Sequence, residues 1–449
     1  MSDGIRVVEG ATCTFCGCVC DDMDLTVDLE QKRITKAANA CILGRAWFKQ
    51  HGLEERPFAL IEGREASTDE GVEEAAQILA RARFPVIYGL SDTTCEAQRV
   101  AVSLADMIGG TVDTTTSVCH GPSGIAFQGV GESTASLGEI KNRADLIVFW
   151  GGNPAESHPR LFTRYAVTPK GMYVPNGRKD RTVVLVDVRR TPSARVADIF
   201  IQVKPRSDFE VLWALRALVK GREVDPSIEQ RTGVSLAVLE DLVSRMKSCC
   251  YGVFLFGMGL TMTRGRHFNS GALLALATDL NEFTRFVAKP VRGHGNVTGA
   301  DNVLSWQTGF PFGVNFSRGY PRFNPGEFTT VDLLARREAD AALIVASDPA
   351  SNFPKAAIEH LRRIPVICLD PKLTLTSQLA RVAFTTATYG INVAGTVYRM
   401  DDVPITLRPA FDSPYPSDEQ ILTAIRHRVR ELLGGNRLPV GTPLVASVA

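Results

Sequence analysis

Short apolar segments alternate with helical patterns along most of this chain of 449 residues. The apolar segments are rich in β-branched residues and have the length of strands, so they predict strands that are buried on both faces. Such strands, separated by helices, are typical of parallel sheets that helices cover on both sides. The predicted strands are 84–88, 146–150, 183–186, 199–203, 252–256, 341–346 and 365–369, and the predicted helices are 68–81, 96–108, 208–219, 236–246, 266–281 and 357–363.

The composition is that of a water-soluble globular protein, with 45% hydrophobic and 22% charged residues. A formal net charge of +1 gives no sign of a nucleic-acid-binding surface. No apolar run approaches the roughly 20 residues that a membrane-spanning helix needs. Five of the ten cysteines lie within the first 41 residues, and no export signal precedes them. We therefore expect reduced cysteines and a cytoplasmic protein that binds neither nucleic acid nor a membrane.

The N-terminal cysteines predict a metal centre. Cys13, Cys16, Cys20 and Cys41 have the spacing C-x2-C-x3-C-x20-C, which leaves Cys18 as an additional thiol. Three ligands from one tight turn and a fourth from a separate segment suit a [4Fe–4S] cluster, which moves electrons one at a time. A structural zinc site also uses four cysteines, but usually as two C-x2-C pairs, and zinc remains the alternative here.

Two further loops combine residues that carry chemistry. Cys119 and His120 lie side by side in a loop with Gly and Pro, after a run of Thr and Ser. A thiolate is a soft ligand for transition metals and an imidazole can move protons, so this pair is a metal ligand, a nucleophile or only a turn. Arg292 and His294 flank a glycine. A guanidinium can bind both oxygens of a carboxylate, so this loop is either a carboxylate site or a solvated loop.

The segments that follow three predicted strands are candidate ligand-binding loops. Strand 146–150 runs into GGNP and strand 341–346 into SDP, so the two units look like an internal pair. Ligands of parallel sheets bind at the carboxyl ends of the strands. Asp187 ends a third strand and precedes Arg189 and Thr191. An acidic side chain there often binds a nucleoside hydroxyl while Arg and Thr bind phosphate, and a capped loop with a surface ion pair is the alternative.

The segment 292–327 shows neither helix nor strand periodicity, but it is rich in aromatic residues. We therefore expect a long, irregular and functional loop there rather than disorder. We expect the tail after Gly434, which is rich in Gly and Pro, to be mobile.

Together these motifs resemble the molybdopterin oxidoreductase superfamily, and most closely the B subunit of formylmethanofuran dehydrogenase. The related B subunit of bacterial formyltransferase/hydrolase complexes is part of the same group. The stretch at 317–327 looks specific to this group of subunits. The matching stretches are 16–22 (CGCVCDD), 117–123 (SVCHGPS), 292–294 (RGH), 316–327 (FSRGYPRFNPGE) and 395–401 (GTVYRMD).

The resemblance implies specific roles for the candidate residues. The [4Fe–4S] cluster would be bound by Cys13, Cys16, Cys20 and Cys41. Cys119 would ligate tungsten or molybdenum, held in addition by two pyranopterin guanine dinucleotides, with His120 and Arg292 beside the metal and His294 as a weaker candidate. Arg45 would lie between the cluster and a pterin. The loops that bind the cofactor tails would supply Gly152, Asn153 and Ser157, then Asp187, Arg189 and Thr191, and finally Ser347 and Asp348.

The resemblance also implies an architecture. The fold would be α/β and multi-domain, with parallel sheets flanked by helices, a small N-terminal iron–sulfur domain and no C-terminal β-barrel domain. We expect an iron–sulfur domain at 1–60 and an α/β domain with the metal-ligand loop formed by 61–140 and 250–335. An α/β pterin-binding domain would span 141–249, and a second pterin-binding segment with the tail would span 336–449.

The activity implied is the interconversion of CO2 and formate, with electrons passing through the cluster. A partner amidohydrolase-like A subunit would couple it to the formation or breakdown of formylmethanofuran. Further partners would be a C subunit, a small β-barrel D subunit and, indirectly, ferredoxin-type electron carriers. The alternative is a redox-silent scaffold within a formyltransferase/hydrolase complex in bacterial one-carbon oxidation.

Overall fold

The computed structural model describes residues 4–51 and 55–434. The strands are β1 (Ile5–Cys13), β2 (Cys20–Asp28), β3 (Arg33–Ala38), β4 (Ala59–Ile61), β5 (Arg64–Ala66), β6 (Pro85–Gly89), β7 (Thr111–Thr114), β8 (Leu146–Trp150), β9 (Thr182–Asp187), β10 (Ile199–Gln202), β11 (Tyr251–Phe256), β12 (Arg285–Pro290), β13 (Val314–Asn315), β14 (Arg322–Phe323), β15 (Ala341–Val345), β16 (Val366–Asp370), β17 (Val382–Thr385), β18 (Gly395–Tyr398) and β19 (Pro404–Leu407).

The helices follow the same chain order. They are α1 (Ile42–Lys49), α2 (Thr68–Arg81), α3 (Cys95–Ile108), α4 (Gly121–Val130), α5 (Leu137–Arg143), α6 (Pro154–Ser157), α7 (Asp208–Val219), α8 (Ile228–Thr232), α9 (Leu236–Ser248), α10 (Met258–Thr261), α11 (His267–Leu280), α12 (Val297–Thr308), α13 (Thr330–Ala335), α14 (Pro349–Asn352), α15 (Lys355–Leu361), α16 (Leu375–Leu379) and α17 (Asp418–Leu432).

The predicted α/β fold with parallel sheets flanked by helices is confirmed. Each predicted strand and helix has a counterpart within a few residues of its predicted bounds. The apolar strands β6, β8, β11 and β15 are buried along their whole length, as strands between two helical layers must be. Local signals set the helix limits. For example, α2 begins at a capping box in which Ser67 and Glu70 bind each other's backbone N–H groups.

Two large sheets dominate the described residues. A five-stranded sheet of order β10-β9-β8-β11-β12 is parallel throughout. A nine-stranded sheet has order β14-β13-β7-β6-β15-β16-β17-β4-β5, with five parallel strands in the middle and antiparallel pairs at both edges. An antiparallel sheet of β1, β2 and β3 precedes them, and its first hairpin carries the cysteine loop.

The pairing of strands groups the segments differently from the predicted domains. Strands β11 and β12, placed with 61–140 on the sequence, join β8, β9 and β10 of the segment 141–249. Strands β15, β16 and β17, placed in a separate segment, join β6 and β7. The five-stranded sheet is therefore an insertion between β7 and β13 of the nine-stranded sheet. The domain limits themselves stay a prediction.

The expectation of an irregular segment at 292–327 is wrong in part, because α12 occupies Val297–Thr308. Eight of the residues of this helix are buried, polar ones included, so no apolar stripe marks it in the sequence. The tail after Gly434, which we expected to be mobile, lies outside the described residues. Within the described ranges, no helix is both long enough and apolar enough to cross a membrane.

Candidate redox and cofactor site

The four N-terminal cysteines meet at one small cavity. Cys13 and Cys20 face each other at the end of the β1–β2 hairpin. Cys41 caps α1, and its Sγ accepts a hydrogen bond from the backbone N–H of Gly44 at 3.4 Å. The cavity is lined by Cys13, Cys16, Cys20 and Cys41 together with Phe15, Met23, Ala40, Gly44, Pro159 and Arg160. The structure thus brings together the four cysteines that the spacing selects.

Four thiols around one cavity can hold a metal centre. A zinc site takes four thiolates around a single ion, and a [4Fe–4S] cluster takes one thiolate at each of four irons. The donor set therefore fits a cluster, with zinc as the alternative.

Cys18 lies fully buried beside these ligands. Hydrogen bonds with Cys16 and Cys20, together with burial, raise the pKa of the Cys18 thiol. The hydrogen bond from Cys18 lowers the pKa of Cys20. The positive charge of Arg160 adds to this decrease, and burial opposes it. Arg160 is held in place by an ion pair of 2.5 Å with Asp22. The fifth thiol therefore acts as a hydrogen-bond donor to two of the candidate ligands.

A much larger cavity of about 620 Å³ adjoins the cysteine cavity. Phe15 lines both, so its ring forms part of the wall between them. The large cavity lies at the carboxyl ends of β15 and β16, where a parallel sheet binds its ligand. Five carboxylates line it, from Asp92, Glu156, Asp348, Asp370 and Asp418. Burial raises the pKa of Asp370 to about 7 and that of Asp418 to about 6.

The predicted internal pair of loops is a repeat down to individual hydrogen bonds. In the five-stranded sheet, the Oδ1 of Asn153 accepts from the backbone N–H and the hydroxyl of Ser193. In the nine-stranded sheet, the Oδ1 of Asp348 accepts from the same two groups of Thr376. Asn153 and Asp348 also share one backbone conformation, with φ of −124° and −123°. The two loops are therefore equivalent positions of a duplicated unit.

The duplication reveals a residue that the sequence analysis missed. Asp187 ends β9 and accepts from the backbone N–H of Val188. Asp370 ends β16 in the corresponding place and accepts from the backbone N–H of Lys372. The signal was present, because both strands are apolar runs that end in an aspartate.

Only some of the residues predicted to bind the cofactor tails line the large cavity. Ser157, Ser347 and Asp348 line the large cavity. Gly152, Asn153, Asp187, Arg189 and Thr191 lie in the loops that follow β8 and β9 but are not among its lining residues. The hydroxyl oxygen of Thr191 is buried without a hydrogen-bond partner in the described structure, as expected of a group that awaits a ligand.

Cys119 and Arg292 approach each other across the loop at Gly293. The thiol of Cys119 accepts from the backbone N–H of Gly293, and the Cys119 carbonyl accepts from the hydroxyl of Thr261 at 3.2 Å. Burial raises the pKa of Cys119, and the charge of Arg292 opposes this. Gly293 and His294 line the large cavity. The metal-ligand candidate therefore lies against the wall of the cavity that the strand ends form.

Arg292 is buried, and its charge is already balanced. Its Nη2 donates to the carboxylate of Asp301 and to the hydroxyl of Thr116, the latter at 2.6 Å. Burial acts to lower the pKa of Arg292, but the ion pair with Asp301 outweighs this effect and raises the pKa. The hydroxyls of Thr114 and Thr116 also donate to Asp301. Sequence analysis missed Asp301 because no pattern marks the helix α12 on which it lies.

Three consecutive carbonyls, at 291–293, each contact a different part of the site. The Nε2 of His120 lies 3.2 Å from the first and the Nε2 of His158 lies 2.7 Å from the second. The backbone N–H of Gly17, in the cysteine loop, donates to the third at 3.3 Å. The metal-ligand loop, a strand-end loop and the cysteine loop thus all hold the backbone that carries Arg292.

The histidines of the site divide into two kinds. His120 and His158 are buried, and burial lowers their pKa to about 3 and about 4. Their second ring nitrogens contact the hydroxyls of Ser123 and Ser157. His294 differs in its hydrogen-bond partner, because its Nδ1 lies 3.0 Å from the hydroxyl of Thr115, and it lines the large cavity together with His158.

Arg45 lies at the surface of α1, and its predicted place between the cluster and a pterin stays a prediction. Its side chain is exposed, and its Nε donates to the carbonyl of Ala40 at 3.0 Å. It lines a groove on the outer side of the N-terminal sheet rather than the large cavity. The reason is its position on α1, whose other face carries Leu43 and Trp47 into that cavity.

Comparison of structures defines the class of the protein. Acetylene hydratase from Pelobacter acetylenicus matches the fold with a TM-score of 0.66 at 12% identity, over 95% of this chain and 67% of that chain. A chain of the formyltransferase/hydrolase complex from Methylorubrum extorquens, solved with methylofuran, matches with a TM-score of 0.68 at 26% identity, over 83% of this chain and 99% of that chain. The fold is that of the molybdopterin oxidoreductase type.

Comparison of sequences gives the family. The B subunit of tungsten-containing formylmethanofuran dehydrogenase 2 from Methanocaldococcus jannaschii is 44% identical over 440 residues, which cover 96% of this chain and 100% of that protein. This chain therefore belongs to the family of formylmethanofuran dehydrogenase B subunits, and the resemblance seen in its motifs is confirmed. Its structural relative is a chain of a multi-subunit complex, and its sequence relatives include oxidoreductases. No family model matches the chain.

Proposed function

We propose that this chain is the redox subunit of a formylmethanofuran dehydrogenase complex and interconverts CO2 and formate. The observation that carries the proposal is the arrangement of one connected site. Four thiols line a cavity that shares Phe15 with the large cavity, and Cys119 and Arg292 meet at the wall of the latter. Membership of the family supports the same activity.

The residues present fit the cofactors of such an enzyme. The four clustered thiols would hold a [4Fe–4S] cluster, and Cys119 would ligate tungsten or molybdenum. The name of the M. jannaschii relative favours tungsten. The two repeated loops would each hold one pyranopterin guanine dinucleotide, since carboxylates such as Asp370 and Asp187 accept N–H groups of a guanine. The residues that would hold the two tails are Gly152, Asn153, Ser157, Asp187, Arg189, Thr191, Ser347 and Asp348.

The protein's own residues would serve the reaction as follows. The metal centre, when bound, supplies the two-electron change at carbon, and the cluster supplies single-electron steps. The guanidinium of Arg292 would bind a carboxylate oxygen of formate by a charge-assisted hydrogen bond. Asp301 and Thr116 hold its Nη2, so the guanidinium is oriented before formate arrives. His120, which contacts the backbone beside Arg292, would move the proton, and His294, which lines the cavity, is the second candidate for this role.

The proposed partners are those of the family. An amidohydrolase-like A subunit would couple formate to the formyl carrier, beside a C subunit and a small β-barrel D subunit, and ferredoxin-type carriers would exchange electrons. The second candidate function is a redox-silent scaffold. The observation that favours it is the fold shared with a chain of the formyltransferase/hydrolase complex.

Metal analysis of the anaerobically purified complex tests the proposal. We expect about four irons and one tungsten or molybdenum for each copy of this chain, with a [4Fe–4S] signal in the EPR spectrum after reduction. Iron without tungsten or molybdenum would contradict the catalytic assignment. The absence of all three metals from a complex that still hydrolyses its formyl carrier would establish the scaffold.

The variant Cys119→Ala separates the two functions by activity. Removal of the metal ligand should abolish formate-dependent reduction of a viologen dye, while formyl transfer by the partner subunits continues. The measurement is dye reduction beside carrier deformylation in the same preparation. The half-buried Cys249 provides a matched control, because it lies at the amino end of β11, away from the carboxyl ends of the strands that form the site, and Cys249→Ala should retain dye reduction. Full dye reduction in Cys119→Ala would refute the role of this thiol.

A further inference from the structure

The wall of the cysteine cavity carries a fixed positive charge. Among the described residues, Arg160 is the only charged one that lines this cavity, and it lies there beside the four cysteines. Its side chain is only 14% exposed, so solvent and salt screen its charge weakly. The charge therefore acts on any group that occupies the cavity.

Two contacts hold the guanidinium of Arg160 between two segments that carry cysteines. Its Nη2 forms the ion pair of 2.5 Å with Asp22, which follows Cys20 by two residues. Its Nη1 donates to the carbonyl of Asn39, which precedes Cys41 by two residues. A guanidinium presents its donors in a rigid plane, so the two contacts together fix the position of the charge.

The carboxylates that balance this charge lie outside the wall of the cavity. Asp22 also pairs with Arg164 at 3.2 Å, and Arg164 pairs with Asp21 at 2.7 Å. None of these three residues lines the cysteine cavity, and the two aspartates are more exposed than the two arginines. The group of two arginines and two aspartates is neutral as a whole, but it presents a positive charge to the thiols.

The segment that carries Arg160 contributes to the walls of both cavities. Ser157 and His158 line the large cavity, whereas Pro159 and Arg160 line the cysteine cavity. His158 also contacts the carbonyl of Arg292 through its Nε2. Four consecutive residues thus lead from the proposed cofactor site to the thiols, so the charge belongs to a segment that is anchored on both sides.

We propose that Arg160 sets the reduction potential of the cluster, as a fixed positive charge beside it. The inference rests on the proposed function. A cluster with four thiolate ligands is an anion and gains one more negative charge when it accepts an electron, so a nearby cation stabilises the reduced form and raises the potential. Oxidation of formate yields CO2, one proton and two electrons, and the cluster accepts these electrons one at a time. Arg160 favours each of these steps although it does not line the cavity in which formate would bind.

The midpoint potential of the cluster tests this role. The variant is Arg160→Gln in the anaerobically purified complex, and an EPR-monitored redox titration gives the potential at which half of the clusters are reduced. Glutamine removes the charge but keeps an amide that can donate to Asn39. We expect the equilibrium constant for reduction to fall roughly tenfold, which lowers the potential by about 59 mV for this one-electron couple. Arg160→Lys, which keeps the charge, should recover at least half of the shift.

A matched variant controls for the loss of an arginine from an ion pair. Arg178 pairs with Asp198 at 2.6 Å, close to the length of the Arg160 pair, and it lines neither cavity. Arg178→Gln should therefore leave the midpoint potential of the cluster unchanged. A shift equal to that of Arg160→Gln would show that the position of the charge is irrelevant and would overturn the proposal.

The remaining outcomes separate this role from the function on which it rests. Wild-type complex without iron, or without a [4Fe–4S] signal, would overturn the proposed function. If the cluster is present, an unchanged potential in Arg160→Gln overturns the role of Arg160 alone. So does an equal shift in Arg160→Lys, because it would assign the effect to hydrogen bonds rather than to charge.

A second variant decides the question if Arg160→Gln loses its cluster. Asp22→Asn removes the counter-charge and leaves Arg160 in the wall of the cavity, so the potential should rise. The same redox titration measures it. A lower or unchanged potential in Asp22→Asn would overturn the role of Arg160.

Discussion

A single ion pair orients the residue that would recognise the substrate. Arg292 and Asp301 lie buried together, and two threonine hydroxyls complete the hydrogen bonding of the carboxylate. A buried pair of this kind adds little to net stability but is costly to break, because the remaining charge has no solvent to compensate it. Asp301 therefore keeps the guanidinium charged and in place while the cavity opens beside it.

Asp301→Ala should lower the free energy of unfolding by roughly 3–5 kcal/mol, since it leaves Arg292 as an uncompensated buried charge. Urea unfolding of the cofactor-free chain measures the change. Asp412→Ala, which removes an exposed carboxylate, should alter it by no more than about 0.5 kcal/mol. Equal stability of the two variants would show that the pair with Asp301 does not stabilise the charge of Arg292.

His158 is a positioning residue rather than a catalytic one. Its Nε2–H donates to the carbonyl of Arg292, so His158→Ala should let the guanidinium shift and lower kcat/KM for formate by about tenfold, mainly through KM. His158→Gln should recover most of the loss, because its amide can donate to the same carbonyl. Steady-state kinetics with a viologen dye measures both. A fall in kcat alone, or no recovery by glutamine, would contradict the positioning role.

At the scale of the element, the cysteine loop and the Arg292 loop pack without space between them. A Cβ at Gly17 would lie 2.4 Å from the carbonyl oxygen of Arg292. Gly17 also joins the two neighbouring segments, since its N–H donates to Gly293 and its carbonyl accepts from Met400. Any side chain at this position must separate the two loops.

Gly17→Ala should therefore reduce the iron content of the purified complex by at least half and lower formate oxidation with it. The reason is that displacement of the loop moves the flanking Cys16. Gly271→Ala in α11 is the control, because a Cβ there meets open space and alanine favours the helix. Iron analysis and EPR of both variants provide the measurement. Wild-type iron content in Gly17→Ala would show that the close approach is not needed.

The elements that sequence patterns predict well are those with a regular environment. Strand 146–150 lies between two helical layers, and its apolar run is visible for that reason. The helix α12 is different, because it is buried on several sides and contains polar residues such as Asp301 and Thr298 that bond inward or lie buried. Its sequence therefore lacks the apolar periodicity of a helix, so Asp301, the partner of Arg292, was not predicted.

At the scale of the whole molecule, local patterns cannot reveal which strands pair. The chain builds β4–β7, leaves to form the five-stranded sheet, and returns to complete the nine-stranded sheet with β13–β17. Nothing in the strand sequences records this insertion, so the segments were grouped differently on the sequence. The strand-end loops were found nonetheless, because their positions depend on each strand and not on its neighbours.

Five carboxylates line the large cavity, and the buried ones affect the stability of the chain before any cofactor binds. Burial raises the pKa of Asp370 to about 7, and the nearby charges of Asp418, Asp92 and Asp348 add to the effect. In an unfolded chain an aspartate titrates at about pH 4. The folded chain thus binds more protons than the unfolded chain between about pH 4 and pH 7, so the contribution of Asp370 to stability is lost as the pH rises through 7.

Replacement of this carboxyl should therefore matter more at high pH. Asp370→Asn should become progressively more stable relative to wild type between pH 5 and pH 8, since the amide never ionises. Buried histidines such as His158, whose pKa is lowered to about 4, act in the opposite sense but cancel in the comparison because both proteins contain them. Urea unfolding of the two cofactor-free chains at several pH values measures the difference, and Asp412→Asn controls for an exposed carboxylate. A difference independent of pH would mean that Asp370 ionises as readily in the folded chain as in the unfolded one, and that the cavity does not hold its carboxyl in the neutral form.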